Sequence, residues 1–272
     1  MQLTDTHCHI HESGDISEGD TDPTRQRWFK LGNLPPQELA KRAREQNVSR
    51  LICVGCTLAD SQKAISFAQT QEGAWASIGL HPHEAKRYAS DQEALDTFAA
   101  LAAQPKVVAV GECGLDYFYN NSPAPQQAAM LRFQIELALR HNLPMIFHVR
   151  EAFDDFWPIF DSYKGIRGVI HSFSATQQDL AEILKRDLYV GLNGIMTFTK
   201  NEEQLAAAKA VPLNRLLLET DAPFLTPAPD RGTICEPKHV RTVAEYLAKL
   251  RGESLEAIAQ ATTHNAQVLF DL

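Results

Sequence analysis

Short apolar runs alternate along the chain with longer segments in which apolar residues recur at helical spacing. The runs are apolar on successive residues, which is typical of parallel strands covered by helices on both faces. Eight runs predict eight strands: Leu3 to Thr6, Leu51 to Cys56, Trp75 to Leu80, Val107 to Gly111, Pro144 to Val149, Gly168 to His171, Leu188 to Leu192 and Arg215 to Glu219. This repeated alternation predicts an α/β fold, a single (β/α)₈ barrel domain over residues 1–272, with active residues at the carboxyl ends of the strands.

Residues that begin helices stand between these runs. Ser90 with Glu93 and Thr176 with Asp179 match the spacing of capping boxes, in which a side chain at the helix start accepts a backbone hydrogen bond. The tail from Glu236 to Leu272 is predicted to supply the closing C-terminal helices.

Two stretches interrupt the alternation. His11 to Pro36 is acidic, polar and too long for a tight connection, so we predict a long loop over the barrel mouth. A surface insertion away from the mouth is the alternative, although Trp28 and Phe29 would be unusual residues to leave in water. Ala222 to Pro237 contains four prolines and is predicted to form another rim loop.

Composition places the chain among globular proteins. Of its 272 residues 44% are apolar and 22% charged, which excludes a collagenous or mainly disordered protein. The net charge of −8 argues against bulk attraction to duplex DNA or to an anionic membrane, but it does not exclude a phosphate substrate held through metal ions. No apolar run approaches the roughly 20 residues that span a bilayer, and the first ten residues are polar. We therefore expect a cytoplasmic protein without a membrane partner.

Cysteine usage agrees with a reducing compartment. The five cysteines are an odd number and thinly scattered, unlike a disulfide framework. Cys53 and Cys56 form a C-x-x-C at the end of an apolar run without a second such pair. We therefore predict free thiols there rather than a redox or zinc site.

Ionisable residues stand at the carboxyl ends of several predicted strands. His7 and His9 leave the first strand on the same side, because side chains alternate along a strand, and so form a clamp for a metal ion. The other candidates are His81 after the third strand, Glu112 after the fourth, His148 and His171 at the ends of the fifth and sixth, and Asp221 after the eighth. One such histidine is usually a hydrogen-bonded core residue. Four of these imidazoles, those of His7, His9, His148 and His171, together with the two carboxylates at one mouth are better explained by bound cations.

The donor types indicate which metals to expect. Imidazole with carboxylate suits Zn²⁺, Mn²⁺ or another borderline ion, whereas an all-oxygen set would suit Mg²⁺ or Ca²⁺. Six donors exceed the three that a catalytic zinc usually takes, so we expect two divalent ions that share Glu112 as a bridge. Two ions about 3.5 to 4 Å apart activate a hydroxide and clamp the attacking and leaving oxygens, which predicts a hydrolase.

Six motifs follow one another over nearly the whole chain: D-T-H-C-H at 5–9, G-L-H-P at 79–82, G-E-C-G-L-D-Y at 111–117, F-H-V-R at 147–150, H-S-F at 171–173 and E-T-D-A-P at 219–223. In this order they resemble the TatD family of metal-dependent hydrolases and deoxyribonucleases, although H-x-H alone is shared by much of the amidohydrolase superfamily. The resemblance implies a TIM barrel that binds one ion through His7, His9, Glu112 and Asp221 and another through Glu112, His148 and His171. It also implies deoxyribonuclease activity, often of the 3′-to-5′ exonuclease kind on single strands.

Two features depart from the family pattern. The segment from His11 to Pro36 is longer than usual, and Cys235, Glu236 and Pro237 stand where the family commonly has N-E-P. Both lie near the expected substrate rim, so they bear on substrate choice and not on metal ligation.

The expected mechanism is attack on phosphorus by a hydroxide that the two cations activate, with Glu112 bridging the ions and Asp221 accepting the proton. The partner is then DNA, single-stranded or with a frayed 3′ end. We expect His81, Arg150 and Arg231 to hold phosphate. Alternatives are that His81 supports a metal ligand, that Arg150 pairs with a carboxylate such as Asp154, and that Arg231 is merely solvated.

Further residues of the rim have supporting roles in this hypothesis. Asp116 and Glu219 are expected to orient the histidine ligands. Tyr117, Phe118 and Tyr119 either stack substrate bases or pack the rim.

Two other functions are compatible with the same donors. A two-metal site also activates water against an amide, ester or lactone of a small molecule. The third possibility is a metal-binding barrel without turnover, although a base such as Asp221 beside the ligands counts against it.

Overall fold

The computed structural model describes residues 1–272 and contains eight parallel strands that neighbour one another in sequence order. The prediction of a (β/α)₈ barrel is confirmed. The strands are β1 (Leu3–Cys8), β2 (Val48–Val54), β3 (Ala74–Ile78), β4 (Val107–Asp116), β5 (Met145–Arg150), β6 (Gly168–Ile170), β7 (Tyr189–Leu192) and β8 (Leu216–Leu218).

Helices follow the strands and cover the barrel. They are α1 (Pro23–Lys30), α2 (Pro36–Glu45), α3 (Leu58–Thr70), α4 (Ala85–Tyr88), α5 (Gln92–Leu101), α6 (Ala124–His141), α7 (Phe153–Asp161), α8 (Gln177–Lys185), α9 (Glu202–Ala210), α10 (Val240–Arg251) and α11 (Leu255–Phe270). No helix has the length and the apolar composition needed to cross a membrane.

The first and last strands adjoin at their carboxyl ends. Asp221 N donates a hydrogen bond to His7 O (2.9 Å), and His9 N donates to Ala222 O (2.8 Å). These bonds nearly close the barrel. They also bring residues from the two ends of the sequence to the same rim.

The opposite end of the barrel is closed by the last helix. Alternate strand residues such as Ile52, Ile146 and Leu217 form one buried cluster with Leu269 and Phe270 of α11. The expectation of closing C-terminal helices is therefore confirmed. The carboxyl ends of the strands remain open toward solvent.

Local signals differ from the predictions in two places. Thr176 and Asp179 form the predicted capping box, but α5 is capped by Asp91, which accepts from Ala94 N (3.0 Å), and not by Ser90. Asp91 is favoured because its carboxylate directly precedes the first turn and complements the helix dipole.

The segment 11–36 is not a loop throughout, because α1 occupies residues 23–30. Asp22 accepts a hydrogen bond from Arg25 N (2.9 Å), and Pro23 stands in the first turn, where its missing N–H costs nothing. Trp28 on α1 is buried, and its indole nitrogen donates to His9 O (3.0 Å). This bond fastens the segment to the end of β1.

We predict that Trp28→Phe lowers the free energy of unfolding by roughly 1–3 kcal/mol, because the buried His9 carbonyl loses its donor. Urea unfolding of both proteins measures the difference. Trp75→Phe is the control, since the indole nitrogen of Trp75 makes no hydrogen bond within the chain. An equal loss in the two variants would attribute the effect to volume alone.

Candidate metal-binding active site

A cavity of about 1010 Å³ opens at the carboxyl ends of the strands. Its walls include seven of the residues expected to bind metal or substrate: His9, His81, Glu112, His148, Arg150, His171 and Asp221. His7 lies beneath them and is wholly buried. The barrel therefore brings together residues that are more than 200 positions apart in the sequence.

Glu112 stands at the centre of this group. Its Oε1 accepts a hydrogen bond from His148 Nδ1 (2.7 Å) and lies 3.6 Å from His81 Nε2 and 3.7 Å from His171 Nε2. Its Oε2 lies 3.4 Å from His7 Nε2. The two oxygens of one buried carboxylate are thus shared among four imidazoles.

Two glycines allow the backbone to hold Glu112 there. The pairing of β4 with β5 shifts register between Val110 and Cys113, and Glu112 N donates to Gly55 O (3.2 Å) instead of to β5. A Cβ atom on Gly79 would collide with the backbone of Gly111 and Glu112. Gly111 itself has φ of +143°, which a side chain would disfavour.

Asp221 forms a second point of convergence. Its Oδ1 lies 3.4 Å from His9 Nε2 and 3.6 Å from His7 Nε2. His9 Nδ1 donates to Val54 O (2.8 Å), which leaves the Nε2 lone pair directed at the site. Asp221 adopts φ of +62°, a left-handed conformation that aspartate tolerates better than most residues.

Two more carboxylates lie behind the histidines. Asp116 accepts hydrogen bonds from His148 Nε2 (2.9 Å) and His83 Nε2 (3.0 Å). Glu219 accepts from Ser172 N (2.6 Å), and its Oε2 lies 3.0 Å from His171 Nδ1 without the alignment of a hydrogen bond. Such outer carboxylates fix the orientation of imidazole ligands.

The protonation of these groups balances their charge. Burial disfavours the charged form of His171, but the Glu219 and Glu112 charges outweigh it and raise the pKa of His171 to about 10. Burial likewise opposes protonation of His148, but hydrogen bonds to Asp116 and Glu112 raise its pKa to about 9. Protons on two histidines therefore supply the positive charge that the carboxylates need in the absence of a cation.

The residues present fit a divalent metal. Neither ring nitrogen of His7 has a hydrogen-bond partner, although the side chain is fully buried, and its Nε2 faces both Glu112 and Asp221. Unpartnered buried nitrogens are rare unless they bind a ligand. Five sets of three donor atoms lie within 4.8 Å of one another, and three of them consist of the predicted residues: His7 with His9 and Asp221, His7 with Glu112 and His171, and His81 with Glu112 and His148.

His148 and His171, which the family resemblance assigns to one ion, both approach Glu112 Oε1, at 2.7 Å and 3.7 Å. His148 lies with His81 at Glu112, whereas His171 stacks on His7 with ring centroids 3.6 Å apart. The rings of His148 and His171 are 6.5 Å apart. His81 is therefore close enough to Glu112 to act as a donor as well as to contact substrate.

Arg150 lies at the cavity rim beside two exposed aromatic residues. Its guanidinium stacks over the rings of Phe118 (4.0 Å) and Tyr119 (4.8 Å), and it makes no ion pair with Asp154. Phe118 and Tyr119 are 52% and 55% exposed, so these rings have free faces. Tyr117 instead packs at the rim and donates to Asp155 Oδ2 (2.8 Å).

The structure does not bring Arg231 into the cavity. Its Nη1 donates to Thr226 O (2.9 Å), and its guanidinium packs over Phe198 at 3.8 Å. Arg231 is absent from the cavity walls. Arg231 therefore stabilises the rim loop, and its position gives no support for the predicted phosphate contact.

Several residues of the cavity were not among the site residues predicted from the sequence. His83 follows His81 by two residues, and this H-x-H spacing was a usable signal. Cys56 Sγ lies 3.8 Å from Glu112 Oε2, and Asp60 accepts from both Cys56 N (2.7 Å) and His11 Nε2 (2.7 Å). Residues 20–25, which precede and begin α1, form the cavity wall on this side.

Comparisons with known proteins show which family the chain resembles in sequence and in fold. A family model described as TatD related DNase matches residues 4–271. An uncharacterized metal-dependent hydrolase of Bacillus subtilis, YabD, is 35% identical over 270 residues, 98% of each chain. The 3′-5′ ssDNA/RNA exonuclease TatD of Cronobacter sakazakii is 36% identical over 240 residues, 86% of this chain and 90% of its own. The crystal structure of YJJV, a TatD homolog from Escherichia coli K12, has a TM-score of 0.85 at 26% identity and covers 99% of this chain and 98% of its own.

We predict that Zn²⁺ or Mn²⁺ stabilises chelator-treated protein by about 2.7 kcal/mol when present at 100 times its dissociation constant. Thermal unfolding with and without the metal measures this shift. Glu112→Gln should abolish it because the amide removes the central negative charge, whereas Glu182→Gln, a change on the exposed face of α8, should preserve it. Absence of a shift in the unaltered protein would contradict the metal centre.

Proposed function

Because the chain belongs to the TatD-related DNase family and is a metal-dependent hydrolase, we propose that it is a deoxyribonuclease that removes nucleotides from the 3′ end of single strands. The observation that carries the proposal is the convergence of Glu112, Asp221 and the surrounding histidines on the floor of a cavity with Arg150 and two free aromatic rings at its rim. A relative at 36% identity is named a 3′-5′ ssDNA/RNA exonuclease, which supports the substrate class and the polarity.

The proposed centre would hold two cations, and Glu112 would be a ligand in both sets. His7, His9 and Asp221 would complete one ligand set, and His148 with His171 would complete the other. When bound, the cations supply Lewis acidity, which lowers the pKa of water and stabilises negative charge on phosphate oxygens. Asp116 and Glu219 would keep the imidazoles of His148 and His171 in a fixed orientation.

Asp221 would accept the proton of the attacking water. Burial opposes its ionisation, but the adjacent His9 imidazole and the charge of His171 outweigh burial and lower the pKa of Asp221. The carboxylate is therefore ionised at neutral pH. Its side chain is 18% exposed to the cavity, compared with 6% for Glu112, so substrate and water reach it more easily.

The rim would hold the strand. Arg150 would contact a phosphate of the substrate, as a guanidinium matches phosphate geometry. His81, which follows β3, lines the same cavity. Tyr119 offers a free ring on which a base can stack, and residues 20–25 form a wall on the other side of the cavity. Such a wall favours a strand end over a strand that continues through the site.

We predict metal-dependent laddering of a 5′-labelled single-stranded oligonucleotide from its 3′ end by protein reloaded with Mg²⁺, Mn²⁺ or Zn²⁺. Asp221→Asn should lower kcat by roughly 10²- to 10⁴-fold, because it removes the proton acceptor. Labelled DNA and RNA strands, resolved on gels, give the rate, the polarity and the preference between DNA and RNA.

The matched control for this prediction is Asp187→Asn, which changes an exposed carboxylate remote from the cavity. It should retain full activity. If folded, metal-loaded protein cleaves no oligonucleotide, the nuclease proposal fails. Small-molecule esters, amides and lactones would then be the substrates to test.

We predict that Tyr119→Ala raises KM for single strands about tenfold with little change in kcat, since base stacking contributes about 1–3 kcal/mol. Tyr119→Phe should retain the KM because stacking does not need the hydroxyl. Phe29→Ala, which removes another partly exposed ring outside the cavity, is the second control. An unchanged KM in Tyr119→Ala would assign the ring to rim packing alone.

A further inference from the structure

We propose that Cys56 supplies a thiolate ligand to the metal centre, so that this centre prefers thiophilic cations such as Zn²⁺ to Mg²⁺. The inference rests on the metal centre proposed above and adds a sulfur donor to its imidazoles and carboxylates. Sulfur ligands select Zn²⁺ over hard cations such as Mg²⁺, which favour oxygen.

The donor geometry around Cys56 supports ligation. Cys56 Sγ lies 3.8 Å from Glu112 Oε2, and Cys56, Glu112 and His9 offer three donor atoms that lie within 4.8 Å of one another. The hydrogen bond from His9 Nδ1 to Val54 O directs the Nε2 lone pair of His9 into the same space. Thiolate, imidazole and carboxylate are all ligands that zinc accepts in proteins.

A second observation points to a cation at the same place. His7 is fully buried without a hydrogen bond to either ring nitrogen, and its Nε2 lies 3.4 Å from the oxygen that Cys56 faces, Glu112 Oε2. An unpartnered imidazole and a thiol therefore approach one carboxylate oxygen from different strands. A cation between them would satisfy all three groups.

The fold also makes Cys56 accessible. It follows β2 by two residues, and its backbone nitrogen is held by Asp60 Oδ2 (2.7 Å), so the side chain lies on the cavity wall. The other four cysteines are buried, whereas Cys56 is partly exposed. Ligation forms a sulfur–metal bond and releases the thiol proton to solvent, so no oxidant is required.

Titration with Co²⁺ tests the proposal directly. The unaltered protein should show a sulfur-to-cobalt charge-transfer band in the near ultraviolet together with the visible bands of bound Co²⁺. Cys56→Ser should lose the charge-transfer band and keep the visible bands. It should also bind Zn²⁺ about tenfold more weakly or worse, since even groups outside the ligand shell contribute that much, with no change for Mg²⁺. Cys235→Ala, which removes a buried thiol outside the cavity, should behave like the unaltered protein.

The outcomes separate the two proposals. Visible cobalt bands without a charge-transfer band in the unaltered protein would overturn the role of Cys56 and leave the metal centre intact. Absence of any cobalt binding would overturn both.

Alkylation of the unaltered protein provides a test that does not depend on the folding of a variant. Burial and the Glu112 charge raise the pKa of the Cys56 thiol, so iodoacetamide at alkaline pH should modify Cys56 slowly in metal-free protein, and Zn²⁺ should protect it, as mapped by mass spectrometry. Equal modification with and without Zn²⁺ would overturn the proposal.

Discussion

A carboxylate buried among imidazoles keeps its charge only while positive charge surrounds it, and Glu112 is under this constraint. Burial opposes its ionisation, but the charge of His171 and the hydrogen bond from His148 hold its pKa well below the usual range. Without metal, protonated histidines provide the compensation. A divalent cation provides it more compactly and frees the imidazoles to act as neutral donors. The electrostatic balance that keeps Glu112 ionised therefore makes the mouth of the barrel a cation-binding site.

The barrel satisfies this constraint through contacts between strands that are distant in sequence. Bonds between β1 and β8 place His7 and Asp221 side by side, and the register shift in β4 carries Glu112 to the middle of the mouth. The space for these polar groups is created by missing side chains. A Cβ atom on Gly191 would collide with the Glu219 carboxylate, as one on Gly79 would with the backbone at Glu112. The geometry of the floor therefore depends on the positions of these glycines as well as on those of the donor residues.

The floor and the rim have different consequences for function. The donors on the floor determine the reaction class, because water activated at such a site hydrolyses an ester whatever its leaving group is. Substrate choice depends on the rim, where α1 closes one side and Arg150 stacks on Phe118 and Tyr119. Trp28 connects the rim to the floor, because it belongs to α1 and its indole nitrogen donates a hydrogen bond to the carbonyl of His9.

The sequence alone determined the strand order, the barrel and most of the histidines and carboxylates at its mouth. These follow from local period and from the rule that parallel strands present their carboxyl ends at one edge. It also contained a usable signal for α1, in Asp22 and Pro23, which the polar composition of the segment obscured. Only the tertiary structure decided which histidines share Glu112, that Cys56 faces it, and that Arg231 lies outside the cavity. The physical reason is that such contacts depend on strand register, on the bulge in β4 and on side-chain orientation. Packing between distant segments sets these three features, so the periodicity of a single segment cannot predict them.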